Sequence, residues 1–293
     1  MTLVQTEPKK IYLWNNELKA VYLWENKVRP VTPPYLCFTA EEANSTVYME
    51  RFWTNMGVVL EVSTDWVTWV DYDMTLNPNQ DYNWATITCA KVWDKVYWRS
   101  KSMTETTFSA SSSRFHRFQT TWKFAVSWDV TTLLCKYGTK TLEYSGTSTF
   151  YYLFNGADIT TPPKLPATTL TNSCYREMFT WASITTVPEL PATTLENYCY
   201  NHMFYGCKSL TSITRLPATT LKSYCYQYMF WNCTNIKLST TQTWDYQTAY
   251  RIPTEWTGTT ASSALSYMFQ NTWWTFKWSP SINTTYYTSN TVI

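Results

Sequence analysis

The residues that could do chemistry are few, and their spacing argues against a reaction centre. The chain has two histidines, His116 and His202, and neither stands in a metal-ligand spacing. Cys199 and Cys207 share a seven-residue gap with Cys225 and Cys233, but Ala182 stands where the preceding unit would need its second cysteine. That substitution marks a buried position rather than a zinc site. Asp65, Asp71 and Asp73 suggest a calcium loop, yet the later acidic ligand is missing. There is no phosphate-cradling glycine loop and no nucleophile elbow. Carboxylate pairs of the glycosidase kind need not be neighbours in sequence and stay open. The expectation is therefore a binding or structural protein, not an enzyme, with no catalytic residue, metal or cofactor.

The elements that position everything else come from repetition. Leu-Pro-Ala-Thr-Thr-Leu occurs at Leu165–Leu170, Leu190–Leu195 and Leu216–Leu221, each copy followed after three residues by Cys-Tyr-x-x-Met-Phe. The starting leucines are 25 and 26 residues apart. A period of this length predicts stacked units that bury their apolar faces only against one another. Phe154, Phe179, Phe204 and Phe230 carry the period, so Phe150–Phe154 reads as a degenerate first unit. Within a unit, Thr168 to Phe179 suits one or two helical turns, with Cys174, Met178 and Phe179 directed inward. Ser183–Val187 and Ser209–Ile213 suit the short strand of each unit.

Residues that vary between units must face solvent or a partner. Arg176, Glu177, Tyr198, Asn201, His202, Tyr224, Gln227 and Tyr228 are the candidate partner-binding positions. Lys164, Glu189 and Arg215 precede the repeated leucines, which predicts opposite charges stacked on adjacent units.

Composition limits the alternatives. With 293 residues the chain can hold one large or two medium cores. A net charge of +2 with 15% charged residues lacks the basic footprint of a nucleic-acid binder. No apolar run is long enough for membrane insertion, and the first ten residues lack the apolar stretch of a signal peptide. Synthesis and folding in a cytosol are expected, with the cysteines as buried thiols rather than disulfides.

Glycine and tryptophan depart from normal in opposite directions. Six glycines compare with a usual share of about 7%, while tryptophan numbers seventeen. After the repeat phenylalanines, one turn position holds Gly156, Trp181, Gly206 and Asn232 in successive units. Gly and Asn tolerate positive φ and Trp does not. Other tryptophans occupy turn positions that favour glycine, as in Ser63-Thr-Asp65-Trp66-Val67. Fifteen qualify: Trp14, Trp24, Trp53, Trp66, Trp84, Trp93, Trp122, Trp128, Trp181, Trp231, Trp244, Trp256, Trp273, Trp274 and Trp278. Trp231 is the weakest of them, because its counterparts are Asn, Thr and Tyr. As glycines they would bring the total to 21, the normal share. The expectation is an alternative genetic code, in which UGA is glycine. The other reading is a truly Trp-rich protein whose surface aromatics bind glycans. Trp69 and Trp98, inside alternating strand patterns, read as genuine core anchors.

The fold class expected is mainly β: an N-terminal β-hairpin arm, a β-sandwich domain, then a leucine-rich-repeat-like α/β solenoid. Residues 1–34 form the arm, carrying a duplicated Ile11-Tyr-Leu-Trp and Val21-Tyr-Leu-Trp, with Tyr12, Leu13, Tyr22, Leu23 and Arg29 as anchoring side chains. Two strands cannot stand alone, so the arm must pack on something else. Residues 35–134 form an immunoglobulin-like sandwich, including a hairpin over Val58–Ser63 and Trp69–Tyr72, with Ser109–Ser113 as a loop. Residues 135–238 form the repeat domain and 239–293 an atypical cap and tail. In that cap Ala264–Phe269 reads as a modified closing unit, its phenylalanine 39 residues after Phe230.

These repeat units resemble the leucine-rich-like repeats of bacterial surface antigens and, more closely, repeat proteins encoded by bacteriophages of gut-type bacteria. The stretch Leu60-Glu-Val-Ser-Thr-Asp65-Trp66-Val-Thr-Trp69 resembles that family's LEYSTDGxTW segment, departing at the suspected glycine. The opening resembles N-terminal segments of phage tail and fibre proteins. The resemblance implies a virion structural protein, a tail-fibre or capsid-decorating component for host-surface attachment. Its implied partners are other virion proteins through residues 1–34 and a host surface protein or glycan, with homo-oligomer formation expected. The alternative it implies is a bacterial cell-surface adhesin.

Overall fold

The computed structural model describes residues 21–22, 28–29, 35–51, 59–72, 85–101, 115–134, 147–252, 261–272 and 277–289. The chain forms two compact units, Met1–Pro34 and Tyr35–Ile293. In the first, β1 (Val21–Tyr22) pairs antiparallel with β2 (Val28–Arg29). The pairing therefore joins the start of the second copy to the segment that follows it. Tyr12, Leu13, Leu23, Trp14 and Trp24 lie outside the described residues.

The second unit is mainly β and contains several sheets. One sheet has the order β11-β10-β3-β8-β5-β6 and another β7-β4-β9. The strands are β3 (Leu36–Ala40), β4 (Ser45–Arg51), β5 (Leu60–Ser63), β6 (Val70–Asp71), β7 (Ile87–Cys89), β8 (Lys95–Ser100), β9 (His116–Thr121), β10 (Phe124–Ser127) and β11 (Ile159–Thr161). The alternation in β4, where Ser45, Val47 and Met49 are buried between half-buried neighbours, is that of a strand with one face on a core. β5 and β6 form the hairpin expected there, with Glu61 opposite Asp71 and Val62 opposite Val70. The two sheets meet through aromatic rings: Phe118 of β9 lies 4.7 Å from Phe38 and 5.0 Å from Trp98. Trp98 is fully buried, as expected of a core anchor.

Trp69 is not in the core. It is half-buried, with the Arg99 guanidinium 3.8 Å above its ring and Tyr35 packed edge-on at 4.9 Å. Arg99 also pairs with Glu61 at 2.8 Å, so the indole covers an ion pair instead of filling an apolar interior.

The repeats lie side by side in register. Phe154, Phe179, Phe204, Phe230 and Phe269 form one ring stack, with centroid spacings from 5.3 to 5.6 Å. Phe150, Tyr175, Tyr200 and Tyr226 form a second. Residues Ala261–Thr272 thus supply a fifth rung, although the chain takes 39 residues to reach it. Leu165, Leu190 and Leu216 are all buried, as are Ala167, Ala192 and Ala218. The first two hexapeptides also bridge in parallel between Thr169 and Thr194.

The expected helical turns are absent from the rungs. The only helix among the described residues is a short 3-10 turn, Val130–Leu133, capped by the Asp129 side chain. Each rung is instead a ribbon of overlapping β-turns. In the second rung the amides of Cys174, Arg176, Met178, Thr180 and Ala182 donate to the carbonyls three residues earlier. The alternate amides, of Ser173, Tyr175, Glu177, Phe179 and Trp181, donate to Asn197, Cys199, Asn201, Met203 and Tyr205 of the next rung. Five such bonds join each rung to its successor. A helix would consume every amide internally and leave none for the neighbour. Every fourth residue is left-handed: Ser173, Glu177 and Trp181, then Tyr198, His202 and Gly206, then Tyr224, Tyr228 and Asn232. That is the requirement of a turn with positive φ at its third residue. No strand forms over Ser183–Val187 or Ser209–Ile213; in the first rung, the segment following the turn ribbon is β11.

Both ends of the stack are covered. The Phe118 amide donates to Leu153 O of the first rung, and Phe154 packs on Phe118. At the far end, Phe269 N donates to Trp278 O and Tyr267 N to Ser279 Oγ. Beyond lies a small antiparallel sheet in which β14 (Thr284–Thr288) is flanked by β12 (Leu238–Ser239) and β13 (Thr248–Ile252).

Candidate binding face

The variable positions of successive rungs come together because the ribbon repeats every four residues. Within a rung Ser173, Cys174, Tyr175, Met178, Phe179, Thr180 and Ala182 are buried, leaving Arg176 and Glu177 half-buried on the outer edge. Stacking then aligns Tyr152, Glu177, His202, Tyr228 and Tyr267 in one file, and Ser148, Ser173, Tyr198, Tyr224 and Ser263 in another. All eight sequence-predicted partner-binding residues lie on the second, third and fourth rungs.

Their contacts run from rung to rung. Tyr198 stacks on Tyr224 at 4.6 Å and His202 on Tyr228 at 4.6 Å, and Tyr228 continues onto Tyr267 at 5.3 Å. Tyr205 and Trp231 extend the aromatic surface sideways, 4.9 Å apart. The Arg176 guanidinium sits between Tyr151 of the first rung and Tyr198 of the third, at 5.6 and 5.7 Å. It also pairs with Glu177 at 3.1 Å, whose carboxylate accepts from the Tyr151 hydroxyl at 3.4 Å. Burial, helped by the nearby Glu177 charge, pushes the Tyr151 hydroxyl well above the usual phenol range.

Asn201 is a correction to the predicted set. It is buried, and its amide donates to the carbonyl and side-chain oxygens of Gln227 while its own oxygen lies 2.8 Å from His202 Nδ1. Its role is to hold His202 and the next rung in place. Burial lowers the His202 pKa, with Arg176 adding to the effect and Glu177 opposing it. Tyr267 was missed by sequence reasoning, although Tyr267-Met-Phe repeats Tyr228-Met-Phe.

The remaining sequence candidates do not converge. Asp65 Oδ1 is occupied by the amides of Val67 and Thr68 and by the Ser63 hydroxyl, which hold its carboxyl below the usual range. Asp71 pairs with Lys101 at 2.7 Å, and Asp73 lies outside the described residues. Among the described residues no group of three His, Cys, Asp or Glu could hold a metal. The seven described cysteines are buried thiols, and Cys207 and Cys233 each donate to a carbonyl of a preceding rung, Phe179 and Phe204. Burial pushes the Cys174 and Cys225 thiols up to about 12, which removes them from thiolate chemistry. Lys164, Glu189 and Arg215 form no ion pair with one another among the described residues. Lys164 instead lies 5.6 Å from the Trp128 ring, and the rung-to-rung pair is Lys222 with Glu196 at 3.4 Å. A groove of about 450 Å³ beside the hexapeptides is lined mainly by prolines, including Pro163, Pro166 and Pro188, with Lys164 and Glu189 its charged groups.

The face therefore combines flat rings, an amide, an imidazole and one Arg–Glu pair. Such a surface can stack on and hydrogen-bond a ligand; it offers no paired acid and base. No family model, no curated protein and no solved structure matches the chain.

Proposed function

We propose that this chain is a structural protein of a bacteriophage virion, a tail-fibre or capsid-decorating component that presents its repeats to the host surface. In this reading the rungs are a leucine-rich-repeat-like solenoid, residues 35–134 are an immunoglobulin-like sandwich supporting it, and residues 1–34 attach it to other virion proteins. The protein binds and does not catalyse.

One observation carries the reading. Interior positions repeat from rung to rung, whereas the outer file changes from Tyr152 to Glu177, His202, Tyr228 and Tyr267. A stack built only for stability has no reason to gather its variation on one aromatic and polar strip. A scaffold for recognition does. The ring-rich chemistry suits a host glycan or a protein loop.

Mass spectrometry of purified virions, together with competition of phage adsorption by the soluble protein, tests this. We expect the protein in particles, and competition weakened at least tenfold by Tyr228→Ala with Tyr267→Ala. Absence from particles and presence on bacterial cells would favour the surface-adhesin reading instead.

A further inference from the structure

We propose that positions 66, 93, 122, 128 and 181 are glycine in the native protein, because the organism that makes it decodes UGA as glycine, and that its synthesis requires a glycine-charged tRNA reading that codon. The inference is independent of the attachment reading.

Backbone geometry selects these five positions. Trp66, Trp93, Trp122, Trp128 and Trp181 have φ between 56° and 74°. Outside the rungs, the left-handed residues among those described are two asparagines, Asn44 and Asn283, and four tryptophans. Asparagine tolerates this conformation because its short side chain bonds locally; an indole has no such compensation. In the rungs, the first and second left-handed positions accept Ser, Tyr, Glu and His. The third holds Gly156, Trp181, Gly206, Asn232 and Asn271, so Trp181 is its single bulky occupant.

At three of the five positions the side chain agrees with the backbone. Trp93 is 73% exposed, Trp122 58% and Trp181 47%, while tryptophan is on average highly buried. The Trp181 ring lies directly over Gly206, where no Cβ could fit. The turns around these residues are otherwise well formed: Asp94 N donates to Lys91 O and Asp94 Oδ2 accepts from Lys91 N, with Trp93 between them. Strain of this kind can mark a functional site. These five are spread over five separate turns, so one site does not explain them. Trp69 and Trp98 are the internal controls: neither is left-handed, and their rings pack against Arg99 and Phe118. Trp231, Trp244 and Trp278 are not left-handed, and the geometry does not assign them.

The coding sequence gives the first test: UGA is expected at the five positions and UGG at Trp69 and Trp98, and UGG at the five overturns the proposal. Peptide mass spectrometry of the protein purified from its natural source gives the second. Glycine between Asp65 and Val67, and at the other four positions, is expected; tryptophan there overturns it even where the codon is UGA. Finally, a recombinant chain with all five as glycine should melt several degrees above the tryptophan chain. A lower melting temperature would remove the structural premise.

Discussion

A left-handed residue with a Cβ costs about 1–2 kcal/mol, so five tryptophans in that conformation cost about 5–10 kcal/mol, comparable to the net stability of a whole domain. Trp93→Gly should therefore stabilise the protein by about 1 kcal/mol, the strain relief exceeding the entropy of a freer unfolded chain. Trp98→Gly should destabilise it by about 3–5 kcal/mol or more, because it empties the meeting point of two sheets. Urea titrations of the two variants compare them directly. His202 provides a pH-dependent counterpart. Its folded pKa lies below the unfolded value of about 6.5, so the unfolded chain binds the proton more readily. Stability should be full above the unfolded value and fall as the pH drops towards the folded pKa. His202→Gln should flatten this acid limb of the melting-temperature profile. Tyr226 adds a third case: its buried hydroxyl finds no partner among the described residues, and Phe150 fills the equivalent place in the first rung. Tyr226→Phe should be neutral or stabilising by about 1 kcal/mol in thermal melts.

The ring stack through Phe179, Phe204 and Phe230 shows what was legible at the level of elements. A constant interval between phenylalanines is sufficient to infer stacking, since equivalent residues of adjacent units must meet. The conformation of the rung was not legible, because Cys174 and Met178 are four apart both in a helix and in a ribbon of turns. A turn ribbon repeats every four residues and a helix every 3.6; over the ten residues of one rung the difference is too small to read. The same ambiguity hid the outer file, which was identified as variable but not as a stacked aromatic strip. Trp69 was misplaced for another reason: alternation marks which face of a strand it occupies, not whether that face is covered. Truncating the central ring, Phe204→Ala, should cost about 3–5 kcal/mol, more than a solitary core phenylalanine, because it interrupts the stack on both sides. Chemical denaturation beside Thr186→Ala, an exposed control, checks the size of the effect.

Across the molecule, the two covered ends decide whether the rungs stay a monomeric element. An uncovered edge of unpaired backbone groups is a template for another chain. Ending the chain after Thr272 would expose the fifth rung by removing Trp278, Ser279 and β14. That truncated form should melt several degrees below the full chain, because the amides of Phe269 and Tyr267 lose their acceptors. The rung-to-rung bonds add a polarity to this. Every one of them in the turn ribbons points the same way, from an amide in one rung to a carbonyl in the next, so the column has a head of bare acceptors and a foot of bare donors. The covers obey that sign, an amide at Phe118 meeting the head and oxygens at Trp278 and Ser279 meeting the foot. Two such columns could therefore extend one another only head to foot, as a growing filament, and never as a closed pair related by a twofold axis.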